Sequence, residues 1–167
     1  MNINFFEEFP TKKNLTKLKL VEWKTKLFVA ARNVSEFEKI ERLVRRNYPR
    51  VWEVVYWPIL REAEGYWISP WSDSAALHRL FKEAAARKKP LSVMLDLEPP
   101  KERKDIARRF CSFWRNRRII ASFLKNNPSH LMVYTAEISH LPRFVLRFLG
   151  LSYSRNSRYT PIFMYYT

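Results

Sequence analysis

Lys26-Leu-Phe-Val-Ala-Ala31 reads as a strand, Ser35 to about residue 47 as a helix, and Val51-Trp-Glu-Val-Val-Tyr-Trp57 as a second strand. Phe37, Ile40, Leu43 and Val44 recur at helical spacing, whereas both flanking runs are almost continuously apolar. A strand, a helix and another strand in direct succession predict a parallel pair joined by a right-handed crossover.

The same alternation continues in both directions. Residues 2–6 read as a first strand, with a short basic helix at about 13–20 before the second. Ser72 or Ser74 caps a helix that runs to about residue 87, and Leu91 to Leu95 forms a fourth strand. A long basic helix is expected over about 102–125, after the Pro99-Pro100 stop. Residues 130–136 and 161–166 read as two further strands around a helix at 139–149. The expected class is therefore α/β, a single domain over residues 1–167. Its parallel sheet is (β/α)-barrel-like and incomplete, with six strands. An open doubly wound sheet is the alternative. A complete eight-fold barrel usually takes about 250 residues, and this chain has 167.

Composition narrows the chemistry. The two glycines, Gly65 and Gly150, are far apart, so neither a Walker phosphate loop nor a GxGxxG turn can be written. The single cysteine, Cys111, excludes an intramolecular disulfide and any Cys-rich zinc site. No apolar run approaches a membrane span, and Met1 to Glu8 lacks the pattern of an export signal, so a cytoplasmic location is expected. The formal net charge is +15, unevenly spread. Residues 1–100 carry 18 basic and 13 acidic side chains, and residues 101–167 carry 13 and 3, so the second part is a field suited to polyanions.

Acids nevertheless collect where strands end: Glu7 and Glu8, Asp96 and Glu98, and Glu137. In parallel α/β folds that edge is the usual ligand site. Acids there also serve as helix caps, which is the ordinary structural reading. Asp96 and Glu98 stand two residues apart on an extended segment, so both point to one face. Two such carboxylates do not ionise independently, and the more buried one keeps its proton. That division between a proton donor and a charged partner is what glycosidic bond cleavage needs.

The stretch Leu91-Ser-Val-Met-Leu-Asp96-Leu-Glu98-Pro-Pro resembles the fourth-strand motif of glycoside hydrolase barrels of the lysozyme-like family 25, in which an apolar strand ends in Asp-x-Glu. The resemblance covers about ten residues. It implies a (β/α) barrel acting on a glycan, with Glu98 as proton donor and Asp96 as its electrostatic partner. An acid at the first strand end lines the site in that family. Glu7 or Glu8 holds that place here, where the family prefers Asp.

Tyr56, Trp57, Tyr66, Trp67 and Trp71 cluster around the loop after the third strand. Such rings stack on sugar faces, stack on unpaired bases beside arginine, or close one end of a core. Arg108, Arg109, Arg115, Arg117 and Arg118 line the long basic helix. They form either a solvated surface or a row that tracks phosphates. Glu137 and His140, with Glu98, fall short of a convincing metal set, so no metal or cofactor is expected. The leading expectation is a glycoside-hydrolase-like domain that binds or cleaves a glycan. Glu98, Asp96, Glu7, Glu8 and Glu137 would be its acids, and Tyr56, Trp57, Trp67 and Trp71 its substrate platform. The alternative is a non-catalytic nucleic-acid-binding protein using the five arginines. A third expectation is a homo-oligomer that covers open sheet edges.

Overall fold

The computed structural model describes residues 3–87, 91–100, 103–126, 131–135, 142–151 and 159–162. Strands β1 (Phe5–Glu7), β2 (Thr25–Ala31), β3 (Val51–Pro58) and β4 (Val93–Leu97) form an all-parallel sheet curled into a half-barrel. The segments β5 (Leu131–Thr135) and β6 (Tyr159–Ile162) follow in the same order, but the curled half-barrel itself is four strands and not the six expected. The helices are α1 (Lys12–Leu15), α2 (Val34–Asn47), α3 (Ser74–Ala85), α4 (Arg103–Arg108), α5 (Phe113–Asn126) and α6 (Arg143–Phe148). Among the described residues, none is long and apolar enough to cross a membrane.

The α/β class and the parallel pairing agree with the sequence reading. The doubly wound alternative does not. Such a sheet reverses its strand order part-way, whereas here spatial order equals chain order. Right-handed crossovers that always step in one direction put every helix on the same face. The packing bears this out: Leu27, Val29, Tyr56 and Leu95 share one core with Phe37 and Val44 of α2, Leu77 and Phe81 of α3, and Ile120 and Phe123 of α5. Phe81 and Phe123 stack at 4.1 Å between centroids, locking α3 against α5. No closed barrel forms, since no pairing joins β1 to β6 among the described residues.

The concave face carries the alternate side chains Phe28 and Ala30 of β2, Val55 and Trp57 of β3, and Met94 of β4. Register aligns them, with Phe28 beside Val55 and Ala30 beside Trp57. Strands β3 and β4 pair in register only at Tyr56 and Val93. Beyond that point they part, and Ile68, from the loop after β3, bridges to Leu97 in place of β3.

Several boundaries differ from the sequence reading for local reasons. Asn33, not Ser35, caps α2, its side chain accepting from the Glu36 N–H at 2.8 Å. Asp73, between the two serines expected to do it, caps α3 through the Ala76 N–H at 2.8 Å. The basic segment expected to be one helix is divided into α4, a 3-10 turn at Phe110–Ser112, and α5. Phe110, in that turn, is exposed.

Candidate functional site

Strand parity sorts the acids. Glu7 sits beside Val29 and Phe6 beside Phe28, so β1 presents Phe6 to the concave face and Glu7 to the helices. Glu7 Oε1 accepts from the Phe9 N–H at 2.9 Å and from Asn14 Nδ2 at 3.3 Å, and so braces the turn into α1. Glu8, one residue on, accepts a 2.6 Å hydrogen bond from the Tyr66 hydroxyl. On β4, Asp96 lies two residues after Met94 and shares its concave face.

Asp96 is 2% exposed. Burial first, then the charges of Glu98 and Glu8, push its carboxyl up to about 8. The Trp57 indole pulls the other way, yet neither Trp57 Nε1 nor Asp96 Oδ1 has a hydrogen-bond partner in good geometry. A buried acceptor and a buried donor thus face the same floor. Glu98 is half-buried at the rim. Of the two acids in the Asp-x-Glu motif, Asp96 is the more buried, and that burial favours its protonated form.

The aromatic cluster divides in the same way. Trp57 and Trp67 lie nearly parallel, 6.2 Å apart at 6°. Tyr66 meets Trp67 edge-on at 4.4 Å, and Phe6 meets Trp57 at 6.3 Å. These rings cover the concave face. Tyr56 does not belong with them, because it is fully buried on the helix side against Phe37 at 5.0 Å. Trp71 packs elsewhere too, with Phe113, Leu146 and Leu151. Burial and the Glu8 hydrogen bond hold the Tyr66 phenol far above its ordinary range, so it remains a donor at any working pH.

Two residues that the sequence reading did not associate with this region hold the loop after β3. Asn116 of α5, completely buried, donates to the carbonyls of Pro70 at 3.0 Å and Ser72 at 2.6 Å, and accepts from Ser74 Oγ at 2.6 Å. An asparagine on the apolar side of a basic helix was the available signal. Arg109 donates to the carbonyls of Trp71 at 3.1 Å and of Ala63.

The other arginines are partly committed as well. Arg115 donates to Ser74 Oγ at 2.7 Å, and Arg117 to the Arg147 carbonyl at 3.1 Å. Arg108 and Arg118 are exposed. Glu137 and His140 lie outside the described residues. A separate cleft of about 800 Å³ opens beside the start of α2, lined by Arg32, Asn33, Glu38, Arg61, Glu64 and Arg79 among others. Within it Arg79 pairs with Glu64 at 3.0 Å, and Glu38 pairs with Arg87, outside the lining, at 3.0 Å. None of the strand-end acids lines it. Comparison with known proteins finds no matching family model, curated protein or solved structure.

Proposed function

We propose that the concave face at the C-terminal ends of β1, β3 and β4 is a glycan site, and that the chain is an incomplete (β/α)-barrel-like hydrolase. The observation that carries this reading is Asp96, a carboxyl buried on the concave face that its burial and the charges of Glu98 and Glu8 push up to about 8. In that reading Asp96 donates a proton to the leaving glycosidic oxygen. Glu8 or Glu98 supports the positive charge that develops on the sugar ring, and a water molecule adds to the anomeric carbon and gives up its proton to complete the hydrolysis. Tyr66 and Trp67, partly buried over Trp57, are the rings that a sugar would meet first.

The test is reducing-sugar release from a panel of polysaccharides and peptidoglycan, comparing the wild type with Asp96→Asn and Glu98→Gln. Wild-type release should fall as pH rises through about 8, because the acid must be protonated to act. Asp96→Asn should abolish it. Absence of release by the wild type on every polymer, or undiminished release by Asp96→Asn, overturns the reading.

A further inference from the structure

Asp96 and Trp57 form the floor of the concave site, yet neither is open to a ligand: they are 2% and 4% exposed. The loop after β3 lies against both. Tyr66 and Trp67, partly buried, pack on the cluster that holds Trp57 and Met94. Trp67 stacks parallel to Trp57 at 6.2 Å, and the Ile68 N–H donates to the Asp96 carbonyl at 3.2 Å. Beneath this cover the Trp57 indole N–H and Asp96 Oδ1 have no hydrogen-bond partner in good geometry. Buried polar atoms left in that state call for a reason.

The cover is held in a strained conformation. Tyr66 has φ of 56°, directly after Gly65 at 119°. The left-handed region is costly for a bulky side chain, which stays there only where its surroundings hold it. Here the Tyr66 N–H donates to the Arg61 carbonyl at 3.1 Å, and its carbonyl accepts from the Leu60 N–H at 2.8 Å. Those two bonds close the turn on itself. The hydroxyl, donating to Glu8 at 2.6 Å, instead ties the ring across the mouth to the end of β1.

We propose that Tyr66 and Trp67 form a gate, shut in this structure over Trp57 and Asp96, which opens when Tyr66 gives up Glu8 and its ring swings outward. The use of the gate rests on the glycan reading. A sugar hydroxyl donates to Glu8 in place of the phenol, so substrate entry replaces the bond that opening breaks. The uncovered indole N–H and carboxyl then meet further hydroxyls, which accounts for their lack of partners while the gate is shut.

Thiol labelling tests the gate without any sugar, so its outcome is separate from that of the hydrolysis panel. Cys111 is exposed, so the full chain carries Cys111→Ser throughout. Asp96→Cys puts a neutral thiol under the gate, and Leu95→Cys puts one in the helix-side core, where Leu95 is 0% exposed. Met94→Cys, on the concave face, replaces Asp96→Cys as reporter if that variant does not fold. Iodoacetamide reaches Leu95→Cys only by unfolding, so that rate climbs steeply with urea. The Asp96→Cys rate should exceed it by about tenfold or more in buffer and stay nearly flat at low urea. Adding Tyr66→Phe should raise the Asp96→Cys rate a further tenfold, roughly, through loss of the Glu8 bond. Equal rates for the two thiols, the same urea dependence for both, or a rate unmoved by Tyr66→Phe overturns the gate. Fast, urea-independent labelling in a chain that hydrolyses no polymer supports the gate and overturns the glycan reading.

Discussion

The hydroxyl of Tyr66 and Glu8 Oε1 lie 2.6 Å apart, joining the loop after β3 to the end of β1 across 58 residues of sequence. Strand β2 separates those two strands in the sheet, so the bond spans the mouth of the half-barrel. It also fixes Tyr66 edge-on against Trp67, which in turn lies parallel to Trp57. One contact therefore sets both the carboxylate and the aromatic cover of the site.

Tyr66→Phe keeps the ring and removes that bond. A hydrogen bond to a partly exposed carboxylate contributes about 1–2 kcal/mol. The variant should lose about that much stability in urea unfolding, and its loop should become more open to protease. Unchanged proteolysis would show that the loop is held mainly by Asn116 and Arg109.

Glu7 and Glu8 make a matched comparison, because they are adjacent and chemically identical. Under the glycan reading, Glu8→Gln should lower hydrolysis at least tenfold, on the scale of a lost charged partner. Glu7→Gln should leave hydrolysis intact and mainly disturb the turn into α1. Equal effects of the two substitutions would remove Glu8 from the site.

Much of this fold was legible because β2, α2 and β3 show their periods without interference. Period alone does not say which side of a strand faces the helices, so Glu7 and Glu8, or Tyr56 and Trp57, were indistinguishable before the register was known. The division at Arg109 was hidden for a different reason. Ile106, Phe110 and Phe113 keep helical spacing, but Arg109 turns aside to bind two carbonyls of the loop after β3. The roles of Asp96 and Glu98 rest on relative burial, which depends on where β3 parts from β4. That parting follows from Ile68 pairing with Leu97, a contact between a loop and a strand that no local pattern announces.

Asn116 is the strongest anchor of that loop. Asn116→Ala leaves the Pro70 and Ser72 carbonyls without their donor and opens a space in a fully buried position. The expected loss is roughly 2–3 kcal/mol. Asn116→Asp should be no better, because a carboxylate cannot donate to either carbonyl. Denaturant midpoints of the two variants check both statements, and a stable Asn116→Asp would contradict the assigned donor.

Gly65 has φ of 119°, a conformation that side-chain-bearing residues rarely adopt. A Cβ there would stand 2.8 Å from Arg109 Nη1 and 3.1 Å from the Ser72 Cα. Gly65→Ala combines backbone strain with pressure on the Arg109 contact and should cost about 1–3 kcal/mol. Thermal unfolding measures it. A paired Gly65→Ala, Arg109→Lys variant should lose less than the sum of the two single changes, because both act on the same contact.

The protonation of Asp96 makes folding depend on pH in an unusual direction. Its carboxyl rises from 3.8 to about 8, with burial as the main cause. Between those values the folded chain holds a proton that the unfolded chain has released. This stabilising contribution is complete below about pH 4 and declines by about 1.4 kcal/mol per pH unit as pH rises, until the folded group itself ionises near 8. Asp96→Asn removes the dependence, because a neutral amide has no proton to lose. Urea unfolding at pH 5 and pH 8 should therefore show the wild type losing stability between the two, and the variant gaining on it. Parallel pH profiles for the two proteins would mean that Asp96 is ionised in the fold, and would remove the proton donor from the proposed mechanism as well.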